Sequence, residues 1–318
     1  EYSLRSSNKG KRLKISSNKV NLKVSNSLVS LVFDKENGSL LSYNFSDNEF
    51  IKSSPYTNFW RASIDNDYGN NLPLRSIEWK TASNSRQLES IVTNKIDANL
   101  VEVIVNYKLN NVGSNNKITY TINSKGVLKV KNDFVYGGKL KDAEIPRFGM
   151  NFTIPKQYSE ISWYGRGPHE NYIDRKSSAF VGLYKGFVED LGFDYSRPQE
   201  NGYRTDVRWL KVSNKDKSGF EIKGEPFISF SAHYNTIEDF DDGLTAQKPG
   251  ETLAVRQRLV KMQRKPVDVP KREFISLNVD LKQMGVGGDN SWGARTLPKY
   301  TIYPGNYSYS FTIVPFDE

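Results

Sequence analysis

Hydrophobic and polar residues alternate with a period of two along much of the chain. Near its start, alternating runs cover residues 20–24 and 28–33, and another run covers residues 40–43. The last two runs flank Asn37-Gly38, and an Asn-Gly pair between alternating runs is a strong signal for a tight hairpin turn. Successive side chains of a strand point to opposite faces, so this period indicates strands with one buried face. The sequence therefore predicts an antiparallel hairpin at the beginning of the fold.

The alternation continues in short runs between residues 86 and 136, with turn residues between them such as Lys125-Gly126. Spacings of about ten residues between strands favour a large antiparallel sandwich over βαβ units. The strands predicted here are 88–92, 100–107, 118–122, 127–130 and 134–136. Further strands are predicted at 148–155, 180–184, 207–212, 227–234, 274–279 and 307–314. We predict an all-β, largely antiparallel fold, and we find no convincing helical periodicity in the first half.

Two segments depart from the regular alternation. Residues 58–69 predict a strand that ends in an acid-rich turn. The Asp and Asn side chains of that turn either bond their own backbone or line the mouth of a ligand site, and both interpretations stay open. Residues 251–262 predict a short helix in a segment that contains several prolines.

Length and composition agree with one large all-β domain. The chain has 318 residues, and all-β folds often use this length for a single domain. Aromatic residues make up 13% of the chain, and such rings suit a pleated, half-buried surface. We find neither an internal repeat nor an internal linker. We therefore predict a polar tail at residues 1–13 and a single domain over residues 14–318.

Features that the sequence lacks disfavour several classes of protein. No run approaches the roughly 18 apolar residues of a membrane span, so no membrane partner is expected. Residues 1–12 have no apolar signal core, so we expect the chain to begin inside a longer protein or after processing. The absence of cysteine excludes disulfides, thiol chemistry and cysteine-bound zinc, and it leaves the compartment open.

The positive charge is concentrated in one segment. The net charge is +9, and residues 246–272 hold eight basic residues against two acids, which gives +6. A nucleic-acid-binding domain more often spreads its charge along one face and carries a recognition helix or a stacking motif, and neither is found. We therefore expect a loop that faces solvent or a partner, and no nucleic-acid partner.

The most unusual stretch is 163–175, which mixes aromatic rings, glycines, a proline, charged side chains and an amide within thirteen residues. Neither an amphipathic helix nor a plain strand requires such a mixture. Two interpretations stay open: a polar cleft that binds a ligand, or a buried polar knot that pins a corner of the sheet. The polar and aromatic side chains concerned are Arg166, Glu170, Asn171, Tyr172, Asp174 and Arg175.

The sequence offers few candidates for catalysis. His169 and His233 are the only histidines, and neither lies in a nucleophile elbow, so a Ser-His-Asp triad is not expected. Glu170 and Glu200 each precede an Asn in a polar, turn-rich stretch, and glycoside hydrolysis needs only two facing carboxyl groups. We favour the interpretation that these acids hold backbone amides of loops. The acid-rich residues 238–243 miss the ligand spacing of a calcium loop, so no metal site is expected.

The glycine-rich residues 285–288 precede Asp289, Asn290 and Trp292. The spacing of a dinucleotide-binding loop fails at Asn290 and no clear helix follows, so a phosphate site is disfavoured. Glycines give the backbone freedom to let Trp292 project from a loop. An exposed indole beside polar groups suits a sugar, and the alternative is that Trp292 fills a core.

Four motifs together resemble one known family. They are Phe59-Trp60-Arg61-Ala62 with Asp65-Asn66-Asp67-Tyr68-Gly69, the stretch 163–175, Pro198-Gln199-Glu200-Asn201-Gly202, and Met284 to Trp292. Their order and identity closely resemble the C-terminal region, the small chain or domain 5, of lacZ-type β-galactosidases of glycoside hydrolase family 2. The similarity extends from about Lys14 to the C-terminus.

The resemblance implies a β-supersandwich of the galactose-mutarotase-like type. In this family the domain packs beside a catalytic barrel that carries both catalytic glutamates and the magnesium and sodium sites. The resemblance thus implies a retaining β-galactosidase whose catalytic residues and metal ions lie outside this chain, so no cofactor is expected here. The implied partners are a β-galactoside, the barrel and the other domains, and the full enzyme can form oligomers.

Individual roles also follow from the resemblance. Trp292 matches a tryptophan that stacks against substrate at the mouth of the barrel, with Asp289 and Asn290 beside it. Gly69 begins a loop that moves between two positions in the family, although the residues after it do not match. The stretch 163–175, with Glu200 and Asn201, is a structural signature, and residues 245–262 resemble an insertion. The alternative is a stand-alone carbohydrate-binding or aldose-epimerase-like module.

Overall fold

The computed structural model describes residues 12–140, 143–241, 265–290 and 293–317. The predicted helix at 251–262, the insertion at 245–262 and most of the basic segment lie outside these residues, as do Trp292 and most of the predicted tail. Within the described ranges the fold is all-β and largely antiparallel, as the alternation predicted, and every strand pairing is antiparallel. Leu13, at the end of the predicted tail, is buried. The domain boundaries themselves stay a prediction.

The first strands form a small sheet. They are β1 (Lys14–Ser17), β2 (Asn21–Ser25), β3 (Val29–Asp34), β4 (Leu40–Phe45) and β5 (Asn48–Glu49). These strands pair in sequence order, and the β3–β4 pairing confirms the predicted hairpin. Gly38 in its turn has a φ of +74°, and a Cβ there would come within 2.5 Å of Val105 Cγ1. A glycine is therefore required both by the turn and by the close approach of the second sheet.

The remaining strands form the large sheet. They are β6 (Tyr56–Asn58), β7 (Arg86–Lys95), β8 (Leu100–Leu109), β9 (Ser114–Asn123), β10 (Leu128–Val135), β11 (Arg147–Pro155), β12 (Glu160–Gly167), β13 (Phe180–Phe187), β14 (Arg204–Ser213), β15 (Ser218–His233), β16 (Phe274–Gln283) and β17 (Tyr307–Asp317). In the described residues their main path runs β13-β12-β14-β15-β17-β10-β9-β8-β7. From β15 a branch runs through β16 and β11 to β6. The two strands predicted at 127–130 and 134–136 are one continuous strand, β10.

The prediction for residues 58–69 is wrong in its details. The strand ends at Asn58. The backbone N–H of Trp60 donates to Asn58 Oδ1 at 3.0 Å instead of to a neighbouring strand. The acid-rich turn is a short helix, α1 (Asp65–Gly69), at whose start Asp67 accepts from the backbone N–H of Ile64 at 3.1 Å. Two more short helices follow, α2 (Leu72–Arg75) and α3 (Ile77–Ala82), and a fourth, α4, spans Ile237–Phe240. Each has too few turns to repeat a helical pattern.

Large aromatic rings fill the core. Phe59 lies at its centre, with ring centroids 5.4 Å from Trp79, 5.0 Å from Phe134 and 5.8 Å from Phe148. All four side chains are buried. Helix α3 is therefore fixed to the large sheet through Trp79, whose indole N–H also donates to the carbonyl oxygen of Ala143 at 3.0 Å.

Candidate functional site

A buried arginine joins the segments that carry the predicted substrate-facing residues. Both atoms Oδ1 and Oδ2 of Asp67 accept from Arg61 Nη2, at 2.9 and 3.0 Å. Arg61 also donates to the carbonyl oxygens of Met284, at 2.9 Å, and Gly285, at 3.2 Å. Burial raises the pKa of Asp67, and the charge of Arg61 opposes this effect. The pair therefore holds helix α1 against the glycine-rich loop; we call these two segments, residues 65–69 and 285–293, the loop edge.

Asp174 fixes the backbone of the glycine-rich loop. Its carboxylate accepts from the backbone N–H of Val286 at 3.1 Å and of Gly287 at 2.7 Å. A Cβ on Gly285 would lie 2.6 Å from Asp174 Cγ, so a larger residue there would displace the carboxylate. From the other side, Asn66 Nδ2 donates to the carbonyl oxygen of Val286 at 3.1 Å. The glycines thus serve the close approach of Asp174 as well as the freedom of the loop.

The structure brings Gly69 next to Gly293. Gly293 has a φ of +109°, and a Cβ on it would lie 2.8 Å from the carbonyl oxygen of Gly69. Asp289 and Asn290 are exposed on the same loop. The side chain of Trp292 lies outside the described residues, so its predicted stacking role stays a prediction. So does the predicted movement of the loop that begins at Gly69.

We expect Asp174→Ala to loosen the glycine-rich loop. Hydrogen bonds to a charged acceptor contribute about 1.5–3 kcal/mol, so the amides of Val286 and Gly287 should exchange roughly 10- to 100-fold faster. Hydrogen exchange followed by NMR at these two amides measures the effect. Asp194→Ala, which removes an exposed carboxylate elsewhere, is the matched control and should leave both rates unchanged. Unchanged rates in Asp174→Ala would contradict the role of this carboxylate.

Glu170 is occupied by structural partners. Its Oε1 accepts from Arg175 Nη2 at 2.5 Å and from the Tyr195 hydroxyl, and its Oε2 accepts from the backbone N–H of Gly202 at 2.7 Å. The guanidinium of Arg175 lies 5.2 Å from the ring centroid of Tyr172. This arrangement agrees with the interpretation of Glu170 as an acid that holds a loop.

Other members of the stretch 163–175 also bind backbone or charged groups. Asn171 is buried. Its Oδ1 accepts two hydrogen bonds from Thr205, one from the backbone N–H at 3.0 Å and one from the hydroxyl at 2.6 Å. Arg166 Nε lies 2.5 Å from Asp206 Oδ2, and its Nη1 donates to the carbonyl oxygen of Ala179 at 2.7 Å. These contacts tie the stretch to the neighbouring strand β14 and match a polar knot better than an open cleft.

Glu200 belongs to a buried charge cluster around Arg147. Arg147 Nη2 donates to Glu200 Oε1 at 2.8 Å, and Nε lies 3.0 Å from Asp280 Oδ2. The side chains of Arg147 and Asp280 have no solvent exposure, and that of Glu200 has 6%. Gln283 accepts from the same guanidinium, and the ring of Tyr203 lies 5.5 Å from it. Glu200 is therefore enclosed and neutralised rather than aimed at a substrate.

The stability of the protein should fall as pH rises from about 4 to about 7 because of Asp280. Burial raises its pKa to about 7, against the opposing charge of Arg147. Because the folded pKa exceeds the unfolded one, the contribution is fully present below about pH 4 and is lost as pH rises through about 7. Asp280→Asn should flatten this slope, which is at most about 1.4 kcal/mol per pH unit. Urea unfolding at several pH values measures it, and an equal slope in both proteins would contradict the assignment.

The two histidines occupy different environments. His169 Nε2 lies 3.1 Å from the hydroxyl of Ser178 at an exposed position. His233 Nε2 lies 3.0 Å from the carbonyl oxygen of Asn201, and burial lowers the pKa of His233 to about 4. In the described residues, no carboxylate is hydrogen-bonded to either imidazole.

A cavity of about 260 Å³ lies beside His233 and was not predicted from the sequence. Its walls include the rings of Phe193, Tyr195 and Phe240, and Asn201. The sequence signal for this cavity is weak. The segment 192–195 holds two aromatic residues among polar ones, and His233 lies about forty residues further along the chain.

Cations pair with two acids, Asp239 and Asp241, of the acid-rich segment that begins at Glu238. Asp239 Oδ1 lies 2.6 Å from Arg272 Nη2, and Asp241 Oδ2 lies 2.5 Å from Lys80 Nζ. Within the part of the chain that the structure describes, no group of three or more His, Asp or Glu side chains is arranged to hold a metal ion. Over the same residues, no helix is long and apolar enough to cross a membrane.

Two antiparallel sheets with a braced loop edge make the described chain an all-β domain. The family model described as β-galactosidase small chain matches residues 25–313, and the chain belongs to this family. A β-galactosidase of Priestia megaterium (strain DSM 319 / IMG 1521) is 36% identical over 305 residues, which are 95% of this chain and 27% of that protein. A β-galactosidase of Halalkalibacterium halodurans is 30% identical over 294 residues, 91% of this chain and 27% of that protein. The chain therefore spans about a quarter of the length of the curated relatives it matches.

Two solved structures from Lactobacillus acidophilus are among those similar to this chain. The match to a galactose mutarotase related enzyme from Lactobacillus acidophilus has a TM-score of 0.44 at 8% identity. It covers 93% of this chain and 97% of the other chain. A galactose 1-epimerase from Lactobacillus acidophilus NCFM has a TM-score of 0.47 at 8% identity, with coverages of 96% and 98%.

Proposed function

We propose that this chain is the C-terminal, non-catalytic part of a retaining β-galactosidase of glycoside hydrolase family 2. The observation that carries the proposal is that nearly the whole chain matches proteins named β-galactosidase, over about a quarter of the length of each. The remaining three quarters of such a protein give room for a catalytic barrel. The chain supplies framework to that barrel and one aromatic residue to its substrate mouth.

The contacts of Glu170 and Glu200 support placing the chemistry outside this chain. A retaining glycosidase needs two carboxyl groups about 5–5.5 Å apart across the scissile bond, one as acid/base and one as nucleophile. Glu170 accepts bonds from three groups, and Glu200 is enclosed with Arg147. Neither carboxylate is available to protonate or attack a sugar. We assign the two catalytic glutamates, and the magnesium and sodium sites, to the barrel.

The loop edge is the part of this chain that we assign to the substrate mouth. An indole offers an apolar face to the C–H side of a pyranose, while polar neighbours bond its hydroxyls. Trp292 supplies the face, and Asp289 and Asn290 supply the polar groups. Arg61 and Asp174 support this role because their hydrogen bonds fix the backbone of the loop. A loop that is already fixed loses less conformational entropy when substrate binds.

Hydrolysis by the purified 318-residue chain tests the location of the chemistry. We expect it to release no galactose from a nitrophenyl β-galactoside, whereas the longer enzyme does. Release that is lost in Glu170→Gln or Glu200→Gln would place the chemistry in this chain and overturn the proposal. Polarimetry on fresh α-galactose is a second measurement on the same sample. A faster approach to anomeric equilibrium would favour an aldose-epimerase-like module instead.

A further inference from the structure

We propose that the cavity between Phe193 and His233 is a binding site for a neutral pyranoside, separate from the loop edge. The cavity, of about 260 Å³, combines ring faces with fixed hydrogen-bonding groups. Ligand sites are usually concave and combine apolar surface with polar groups that fix orientation. This inference rests on the cavity alone and does not depend on the proposed β-galactosidase function.

An exposed aromatic ring forms one wall. The side chain of Phe193 is 60% exposed, and its ring centroid lies 4.6 Å from that of Tyr195 at 57° between the planes. The backbone N–H of Phe193 donates to Asn201 Oδ1 at 3.1 Å, and the Tyr195 hydroxyl donates to Glu170. These hydrogen bonds hold the backbone of Phe193 and the neighbouring ring of Tyr195 in place. An exposed, positioned ring face suits the apolar face of a pyranose.

Hydrogen-bond acceptors also line the cavity. A carbonyl oxygen can only accept, so the contact of His233 Nε2 with Asn201 places the imidazole proton on Nε2. Atom Nδ1 is then an acceptor, and within the described part of the chain it makes no hydrogen bond. Asn235 Nδ2 donates to the carbonyl oxygen of Pro270 at 2.7 Å, which leaves its Oδ1 as a second acceptor. Two oriented acceptors suit sugar hydroxyls, which are good donors.

The charges at the rim favour a neutral ligand over an anion. Two acids, Glu189 and Asp194, line the cavity with one cation, Lys271. A phosphate or carboxylate site gathers cations, whereas among the described residues that line this cavity the acids outnumber the cations. A smaller adjoining cavity of about 10 Å³ shares His233 and Asn235, and it has about the size that one water molecule needs. The site therefore fits an uncharged, hydroxyl-rich ring.

Titration of the 318-residue chain with methyl β-D-galactopyranoside and lactose, followed by saturation-transfer NMR, tests the proposal. We expect weak binding, with a dissociation constant in the range of about 1–10 mM. Sorbitol, a polyol of similar hydroxyl content without a rigid ring face, should bind at least tenfold more weakly. Phe193→Ala should weaken pyranoside binding at least tenfold, and Phe193→Trp should retain it.

Two control variants separate this site from other surfaces. Phe180→Ala removes a ring that is 74% exposed on strand β13, outside the cavity, and should leave binding unchanged. Trp292→Ala removes the ring that we assign to the substrate mouth, so pyranoside binding that persists in this variant and is lost when Phe193→Ala is added belongs to the cavity. Binding lost in Trp292→Ala but kept in Phe193→Ala would overturn the inference and favour the loop edge. No pyranoside binding, or equal binding of sorbitol, would also overturn it; near-UV circular dichroism confirms that each variant is folded.

Discussion

Replacing Arg147 with Met should lower the free energy of unfolding by about 3–5 kcal/mol at neutral pH. The guanidinium lies between Glu200 Oε1, at 2.8 Å, and Asp280 Oδ2, at 3.0 Å, and no part of it reaches solvent. Methionine keeps much of the volume but removes the charge, so two carboxyl groups remain buried without a cation. They can then stay buried only by taking up protons. The loss should therefore grow as pH rises.

Urea unfolding at two pH values measures this effect. The matched control is Lys156→Met, which removes the same charge from an exposed pair, with side chains of Lys156 and Glu273 49% and 83% exposed. Exposed pairs contribute about 0–1 kcal/mol, so the control should change stability by no more than that. A triple variant, Arg147→Met with Glu200→Gln and Asp280→Asn, should recover part of the loss because no buried charge remains. A loss in Arg147→Met as small as in the control would contradict the cluster's role.

The general fold followed from the sequence because its cause is local. Strand alternation depends on neighbouring side chains pointing to opposite faces, so the hairpin at Asn37-Gly38 and the long strands were predictable. The short helices between Asp65 and Ala82 were not, because each is set by tertiary contacts rather than by periodicity. The packing of Trp79 against Phe59 is one such contact, and the local pattern of hydrophobic and polar residues does not predict it.

The candidate site was predictable only in part. The glycine-rich loop and the stretch 163–175 stand out by composition, and this favoured a polar knot once the family was recognised. Their connection did not follow: Asp174 bonds Gly287 across 113 positions of sequence. The cavity beside His233 is similarly assembled from separate segments, so its aromatic and polar walls have no common sequence signal.

Replacing Trp292 with Ala should reduce kcat/KM roughly 10- to 100-fold in the longer enzyme that we propose. Truncating a large aromatic anchor typically costs about 1–3 kcal/mol, and each 1.4 kcal/mol is about tenfold. Stacking acts on the bound substrate as well as on the transition state, so KM should rise more than kcat falls. Trp292→Phe keeps an aromatic face and should retain much of the activity.

Steady-state kinetics with lactose and a nitrophenyl β-galactoside separate stacking from a general loss of structure. Phe180→Ala removes an exposed ring from strand β13, away from the loop edge, and should leave both constants unchanged. Asp174→Ala should raise KM in the same direction as Trp292→Ala but less strongly, since it loosens the loop without removing the ring. If it acts only through Trp292, the double variant should be no worse than Trp292→Ala alone. Unchanged kinetics in Trp292→Ala would remove the aromatic residue from the substrate mouth and leave this chain a purely structural role.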